Sequence, residues 1–169
     1  MRLPPLETHI SILIPRSSPL LLKLSPVTGG SRGIGAAIAI KLAEHGAHLA
    51  INYVSSATAA EAVAEQVRSH GVTAITVKAD VSQEEEVSAM FKTIMEKFGR
   101  LDIAVSNSGI EYFAEHSETT GADIDRVFGV NVKGQYFVAQ QAYKYMADHG
   151  RVMLTSSISA VKVGTFDTN

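Results

Sequence analysis

The sequence contains no cysteine and no tryptophan. Without cysteine there is no disulfide framework, no thiolate metal site and no cysteine nucleophile, a usage that fits a cytoplasmic protein. Proline is missing from everything after Pro26, because all five prolines (Pro4, Pro5, Pro15, Pro19 and Pro26) lie in the opening stretch. Glycine is missing there instead, the thirteen glycines running from Gly29 to Gly164. No apolar run is long enough for a membrane-spanning helix, so no membrane partner is expected. Charge of one sign is also lacking. A net charge of −2 and a pI near 6.3 remove the electrostatic case for nucleic acid or an anionic membrane surface as a partner. The six histidines are scattered, His45 and His48 straddling Gly46, and no metal site is expected.

What is present is 169 residues, 46% hydrophobic and 19% charged, with a mean hydropathy of +0.11. That is enough for one domain with a sizeable core. Proline fixes φ and removes a backbone donor, so residues 1–19 cannot sustain a helix or sit inside a sheet. Ile10–Ile14 is too short for a signal-peptide core, and the prolines spoil an amphipathic transit helix. Residues 1–19 are therefore expected to be a disordered or spurious leader, with the domain occupying 20–169. From there the punctuation is regular. Leu20–Thr28 reads as a strand with Pro26 awkward near its end, and Ile34, Ile38 and Leu42 recur at helical spacing before Gly46. His48–Tyr53 is a strand, Ala57–Ser69 a helix, Thr73–Ala79 a strand, and Ser82 with Glu85 a capping-box pattern opening a helix that ends near Gly99. Leu101–Ser106 is a fourth strand, residues 120–148 are largely helical, and Arg151–Thr155 is a fifth strand. This alternation predicts an α/β fold, a doubly wound parallel sheet of about five strands with flanking helices.

The strongest local signal is Thr28-Gly29-Gly30-Ser31-Arg32-Gly33-Ile34-Gly35, between the first strand and the first helix. Glycines permit the tight turn and bring backbone amides up to a phosphate, whose charge meets the positive end of the helix dipole. A glycine-rich surface turn is the bland alternative, and the strand–loop–helix–strand context decides against it. Farther along, Asp80-Val81 closes the third strand, Asn107-Ser108-Gly109 the fourth and Ser156-Ser157 the fifth, while Asn131-Val132-Lys133-Gly134 sits in the long helix. Singly, each suits an ordinary turn or cap. In this order they converge on the carboxyl edge of the sheet, where such folds bind ligands.

The set resembles the short-chain dehydrogenase/reductase family, over a match running from about residue 20 to the C-terminus. The resemblance implies a Rossmann-like fold and a dinucleotide held by Gly29, Ser31, Arg32, Gly33, Ile34 and Gly35. It places Asp80 and Val81 near the adenine, and adds Asn107, Ser108, Gly109 and Lys133 to the cofactor-binding set. It makes Ser157 the catalytic serine, and Asn131 the residue that kinks the long helix and holds a water for proton relay. Three segments narrow it further. Ser106-Asn107-Ser108-Gly109, Gly134–Gln141 and Leu154–Ile158 resemble fungal reductases of polyhydroxynaphthalenes and related polyketides. The implied substrate is a small-molecule ketone or alcohol.

The second strand bears on cofactor choice. It ends Asn52-Tyr53-Val54-Ser55-Ser56, with no acid to bind a ribose 2′-hydroxyl and repel a 2′-phosphate. Arg32 offers a positive charge, and Ser55 and Ser56 offer hydroxyls, so NADP(H) is expected. Aspartate at Asn52 or Tyr53 should then shift preference towards NADH. The family's proton donor is a tyrosine followed four residues later by lysine, shortly after the serine. None of Tyr53, Tyr112, Tyr136, Tyr143 and Tyr145 meets that spacing, and the sequence ends at Asn169. The expectation is a C-terminally truncated NADP(H)-binding domain of a ketoreductase, homo-oligomeric only in a full-length form. The alternatives are an inactive nucleotide-binding fragment or interaction module, and a product that cannot fold stably.

Overall fold

His48–Tyr53 buries four successive residues, Leu49, Ala50, Ile51 and Asn52. A strand covered on both sides belongs inside a sheet with helices on each face. The computed structural model describes residues 23–157, and the leader expected over 1–19 and the opening of the first expected strand lie outside them. Among the described residues there are five strands: β1 (Leu24–Val27), β2 (His48–Tyr53), β3 (Ala74–Lys78), β4 (Leu101–Ser106) and β5 (Met146–Leu154). They lie in the order β3-β2-β1-β4-β5, every pair parallel. The doubly wound sheet expected from the sequence is therefore observed. Its connections reverse direction between β1 and β4, and that switch point opens the crevice described below.

The helices are α1 (Gly33–Glu44), α2 (Ala57–Arg68), α3 (Glu84–Phe98), α4 (Gly121–Phe128) and α5 (Gly134–Tyr145). Side chains alternate along a strand, so Leu49 and Ile51 enter one layer and Ala50 the other. On the first face, Ile38, Ala39 and Leu42 of α1 and Ala60, Val63 and Val67 of α2 pack on Ile51 and Val105. On the second, Val87, Met90, Phe91 and Ile94 of α3 meet Val138 and Ala142 of α5 over Ala50 and Ala104. Both sets follow the three-and-four spacing of one helix face. Each large side chain so buried contributes about 1.5–3 kcal/mol.

Four local expectations change. Pro26 is tolerated inside β1. In the ladder Leu24 and Thr28 turn their amides towards β4, reaching the Asp102 carboxylate at 3.0 Å and the Val105 carbonyl at 2.9 Å. Pro26, between them, has no amide to offer on that side, and the β1–β4 register is carried by Val27 opposite Val105. The capping box at Ser82 and Glu85 does not form. The N-cap of α3 is Gln83, the Ser82 hydroxyl donates to Asp80 at 2.8 Å, and Glu86 accepts the Asp80 amide at 2.8 Å. Acids still fill the first turn, where they complement the dipole. The helical stretch expected over 120–148 ends already at Tyr145, and the kink implied at Asn131 takes the form of a π turn at Gly129–Lys133. Finally β5 begins at Met146, not Arg151: Met146 pairs with Leu101, residues 147–150 bulge out with His149 at φ 64°, and pairing resumes at Arg151 opposite Ile103.

Candidate functional site

Four strand ends are stitched together at the carboxyl edge. The Thr28 hydroxyl accepts the amides of Asn107 at 2.9 Å and Ser108 at 3.0 Å, while Asn107 Nδ2 donates to the Thr28 carbonyl at 3.1 Å. On the other side Asn52 Oδ1 accepts the Gly29 amide at 3.2 Å, and the Gly30 amide donates to the Asn52 carbonyl at 2.9 Å. Asn52 Nδ2 in turn donates to the carbonyls of Ala79 at 2.9 Å and Val77 at 3.3 Å. The glycine loop therefore starts from a fixed platform spanning β1, β2, β3 and β4. Gly29 at φ 60° and Gly33 at φ 54° take backbone conformations that side chains resist. At Gly35 the constraint is space: a Cβ there would overlap the Gly29 carbonyl and come within 2.7 Å of Asn107 Nδ2.

Two adjoining cavities open on this platform. The first, of about 520 Å³, is floored by Gly29, Ser31 and Arg32 and bounded by Tyr53, Val54 and Ser55 from the end of β2. Asp80, Val81, Arg126 and Val130 complete its wall. The second, of about 670 Å³, holds Asn131, Gln135, Ser156 and Ser157. Ile34, Asn107, Ser108, Gly109 and Ile110 line both. The N-cap of α1 is Arg32, extended and without a side-chain cap, and no acid occupies the first turn. This end of α1 keeps its positive pole turned to the first cavity, as an anionic group requires.

Most of the expected site residues are brought together, and five are not on a cavity wall. Asn52 is 1% exposed and faces inward. Ser56 caps α2, its hydroxyl accepting the Ala59 amide at 3.2 Å. Gly33 and Gly35 shape the loop, and Lys133 stands exposed on the π turn. Asn131 lines the second cavity while its carboxamide clamps Ile110, accepting the amide at 2.9 Å and donating to the carbonyl at 2.9 Å. Gln135 Nε2 donates to the Thr155 carbonyl at 2.6 Å and ties α5 to the end of β5. Among the described residues no group of acids and histidines could hold a metal ion, and no helix is long and apolar enough to cross a membrane.

Sequence reasoning missed Thr28 as the stitch, and Ile110, Arg126 and Val130 as walls. Thr28 and Val130 stand beside residues it did select. Beside Arg126, Asp123 gathers several partners, accepting the Thr120 amide at 3.1 Å and pairing with Arg126 Nη2 at 3.7 Å. The Thr120 hydroxyl above all, then its amide, Tyr112 and Arg126, hold the Asp123 carboxyl below the usual range. Partial desolvation and the Asp123 carboxylate raise the Tyr112 phenol.

A family model described as short chain dehydrogenase matches residues 23–167. The chain belongs to that family. Among curated members of the short-chain dehydrogenases, it is 45% identical over 146 residues to the hydroxynaphthalene reductase-like protein Arp2 of Metarhizium brunneum, covering 86% of this chain and 54% of the relative. It is 46% identical over 142 residues to versicolorin reductase 1 of Aspergillus parasiticus, covering 84% and 54%. The chain thus spans about half the length of these short-chain dehydrogenase relatives. A solved short chain dehydrogenase from Burkholderia cenocepacia, in complex with NADP, superposes with a TM-score of 0.84 at 39% identity, over 87% of this chain and 60% of that one. A blue fluorescent protein from a metagenomic library, in complex with NADPH, gives 0.83 at 34% identity, over 87% and 60%.

Proposed function

We propose that this chain is the nucleotide-binding part of an NADP(H)-dependent ketoreductase acting on a small aromatic ketone of polyketide or naphthol type. The carrying observation is the end of β2: the first cavity meets Tyr53, Val54 and Ser55 there, with no carboxylate, and Arg32 lines the same cavity. Among the described residues no carboxylate pairs with Arg32. A fixed cation beside a hydroxyl and no opposing acid suits a 2′-phosphate. The uncapped start of α1 and the glycine loop suit the pyrophosphate. The reductase names of the curated relatives and the NADP and NADPH complexes of the solved neighbours support the same reading.

A nicotinamide cofactor, when bound, supplies hydride. This chain's own residues bind and orient. Asp80 and Val81 line the first cavity, and Asn107, Ser108 and Gly109 form the wall shared with the second. Ser157 lines the second cavity, and its hydroxyl would hydrogen-bond a substrate carbonyl oxygen. Asn131 fixes the backbone at Ile110 and has carboxamide capacity left for one water. No tyrosine of this sequence has a lysine four residues on, and none of the present residues is assigned the proton. Titration of NADPH and NADH into the chain tests the reading. NADPH should bind more tightly, and Arg32→Met should remove roughly 10- to 100-fold of its affinity, one charge-assisted hydrogen bond's worth. Equal affinities for the two cofactors would overturn it.

A further inference from the structure

Arg126 lines the first cavity together with Asp80, Val81 and Val130. Its guanidinium carbon lies 5.1 Å from the centroid of the Tyr112 ring, and its Nη2 lies 3.7 Å from Asp123 Oδ1. Asp123 is itself anchored by the Thr120 amide at 3.1 Å and the Thr120 hydroxyl at 2.5 Å. The guanidinium thus lies over an aromatic ring and beside a carboxylate, while the side chain remains 51% exposed. Holding a long cationic side chain in one geometry at a surface costs rotamer entropy, and here the held plane forms part of a ligand wall. The groups around it have a common character. Val81 and Val130 are apolar, and Asp80 commits Oδ1 to the Ser82 amide and hydroxyl at 2.9 and 2.8 Å. Its other oxygen accepts nothing among the described residues. A flat cation, two β-branched walls and one acceptor match a purine base carrying an exocyclic amine: the π face stacks on the guanidinium and the amine donates to the carboxylate.

We propose that Arg126 is a binding residue for the purine base of the dinucleotide, stacking its guanidinium on the base, with Tyr112 and Asp123 as positioning residues. This rests on the dinucleotide reading of the cavity. It also gives the segment after β4 a share in binding, because Tyr112 lies two residues beyond Ile110, which lines both cavities.

Calorimetric titration with ADP-ribose and with 2′-phospho-ADP-ribose tests the proposal, since both carry the purine and the pyrophosphate and differ only in the 2′-phosphate. Arg126→Met should weaken both by the same factor, roughly tenfold, while Arg32→Met should weaken only the 2′-phosphorylated ligand. Arg126→Lys keeps the charge without the plane and should bind as poorly as Arg126→Met. Tyr112→Leu should reproduce part of the loss, and Tyr112→Phe, which keeps the ring, should restore most of it. Melting curves identify the variants that fold; if Arg126→Met does not, Arg126→Lys and Tyr112→Leu carry the test. Unchanged affinity in the Arg126 variants, a loss confined to the 2′-phosphorylated ligand, or full activity of lysine in binding would each overturn the base-stacking role while leaving the dinucleotide reading standing. A wild-type chain that binds neither ligand overturns that reading, and this proposal with it.

Discussion

Asn52 and Tyr53 are neighbours at the end of β2, yet strand alternation sends them to different environments. Asn52 turns inward, joining the Gly29 amide to the carbonyls of Val77 and Ala79, and Tyr53 lines the first cavity. The sequence treats the two as equivalent places for an acid; the structure separates them. Asn52→Asp would set a carboxylate against two carbonyls and remove their donor, costing about 2–3 kcal/mol of stability. Denaturant unfolding should show that loss, with the ratio of NADPH to NADH affinity unchanged. Tyr53→Asp should instead leave the unfolding midpoint nearly constant and move the ratio towards NADH. Gly35 offers a second contrast. In an ordinary helix Gly→Ala gains about 0.5–1 kcal/mol, but here the added carbon would overlap the Gly29 carbonyl. Overpacking of that kind costs about 1–3 kcal/mol. Gly35→Ala should therefore lower the melting temperature and weaken NADPH binding at least roughly tenfold as the loop is displaced; a stabilised variant with normal affinity would show that the loop yields freely.

The π turn at Gly129–Lys133 matters at the scale of elements because it carries Asn131 to the backbone of Ile110, just past β4. Asn131→Ala would strip both partners from Ile110 at a half-buried place, costing about 1–3 kcal/mol. Hydrogen exchange at the Ile110 amide should accelerate markedly while the amides of β2 and α1 keep their protection; equal acceleration everywhere would mean that Asn131 acts only on global stability. Elements of this kind differ in how readable they were. The glycine loop was legible because its demands are local: two positive φ angles and a close approach, each satisfied by the residue's own lack of a side chain. The break at Asn131 was legible only through resemblance, since nothing in its neighbours' helical spacing signals it. The capping box was misplaced because Ser82 had a nearer partner in Asp80, and local side-chain competition decides such ends. The early start of β5 depends on a bulge at 147–150 that lets Met146 reach Leu101, a tertiary pairing no periodicity encodes.

For the molecule as a whole, the doubly wound sheet followed from alternation alone, while the contacts tying its two ends together did not. Thr28 and Asn107 are 79 positions apart. So are Lys23 and Asp102, whose pairing closes the opposite edge of the sheet. Asp102, with its side chain only 3% exposed, accepts Lys23 Nζ at 3.1 Å, the Leu24 amide at 3.0 Å and Arg100 Nε at 2.7 Å. Burial pushes its carboxyl upward, but Arg100, the Leu24 amide and Lys23 together outweigh burial and hold it below the ordinary aspartate value. A carboxyl depressed in the folded state stabilises it above the unfolded pKa, about 4, and that contribution is lost as pH falls through the lower folded value. Asp102→Asn keeps the shape and removes the charge. Both cations are partly exposed, at 39% and 47%, so the loss at neutral pH should be about 2–3 kcal/mol, below that of a fully buried pair. Urea unfolding of the wild type and the variant in parallel should show this gap constant from neutrality down to about pH 5 and narrowing below about pH 4. Other carboxylates that titrate in the same window, Glu44, Glu61 and Asp123, affect both proteins alike and cancel in the difference. A gap that persists unchanged at low pH would assign the effect of Asp102 to hydrogen-bond geometry in place of charge.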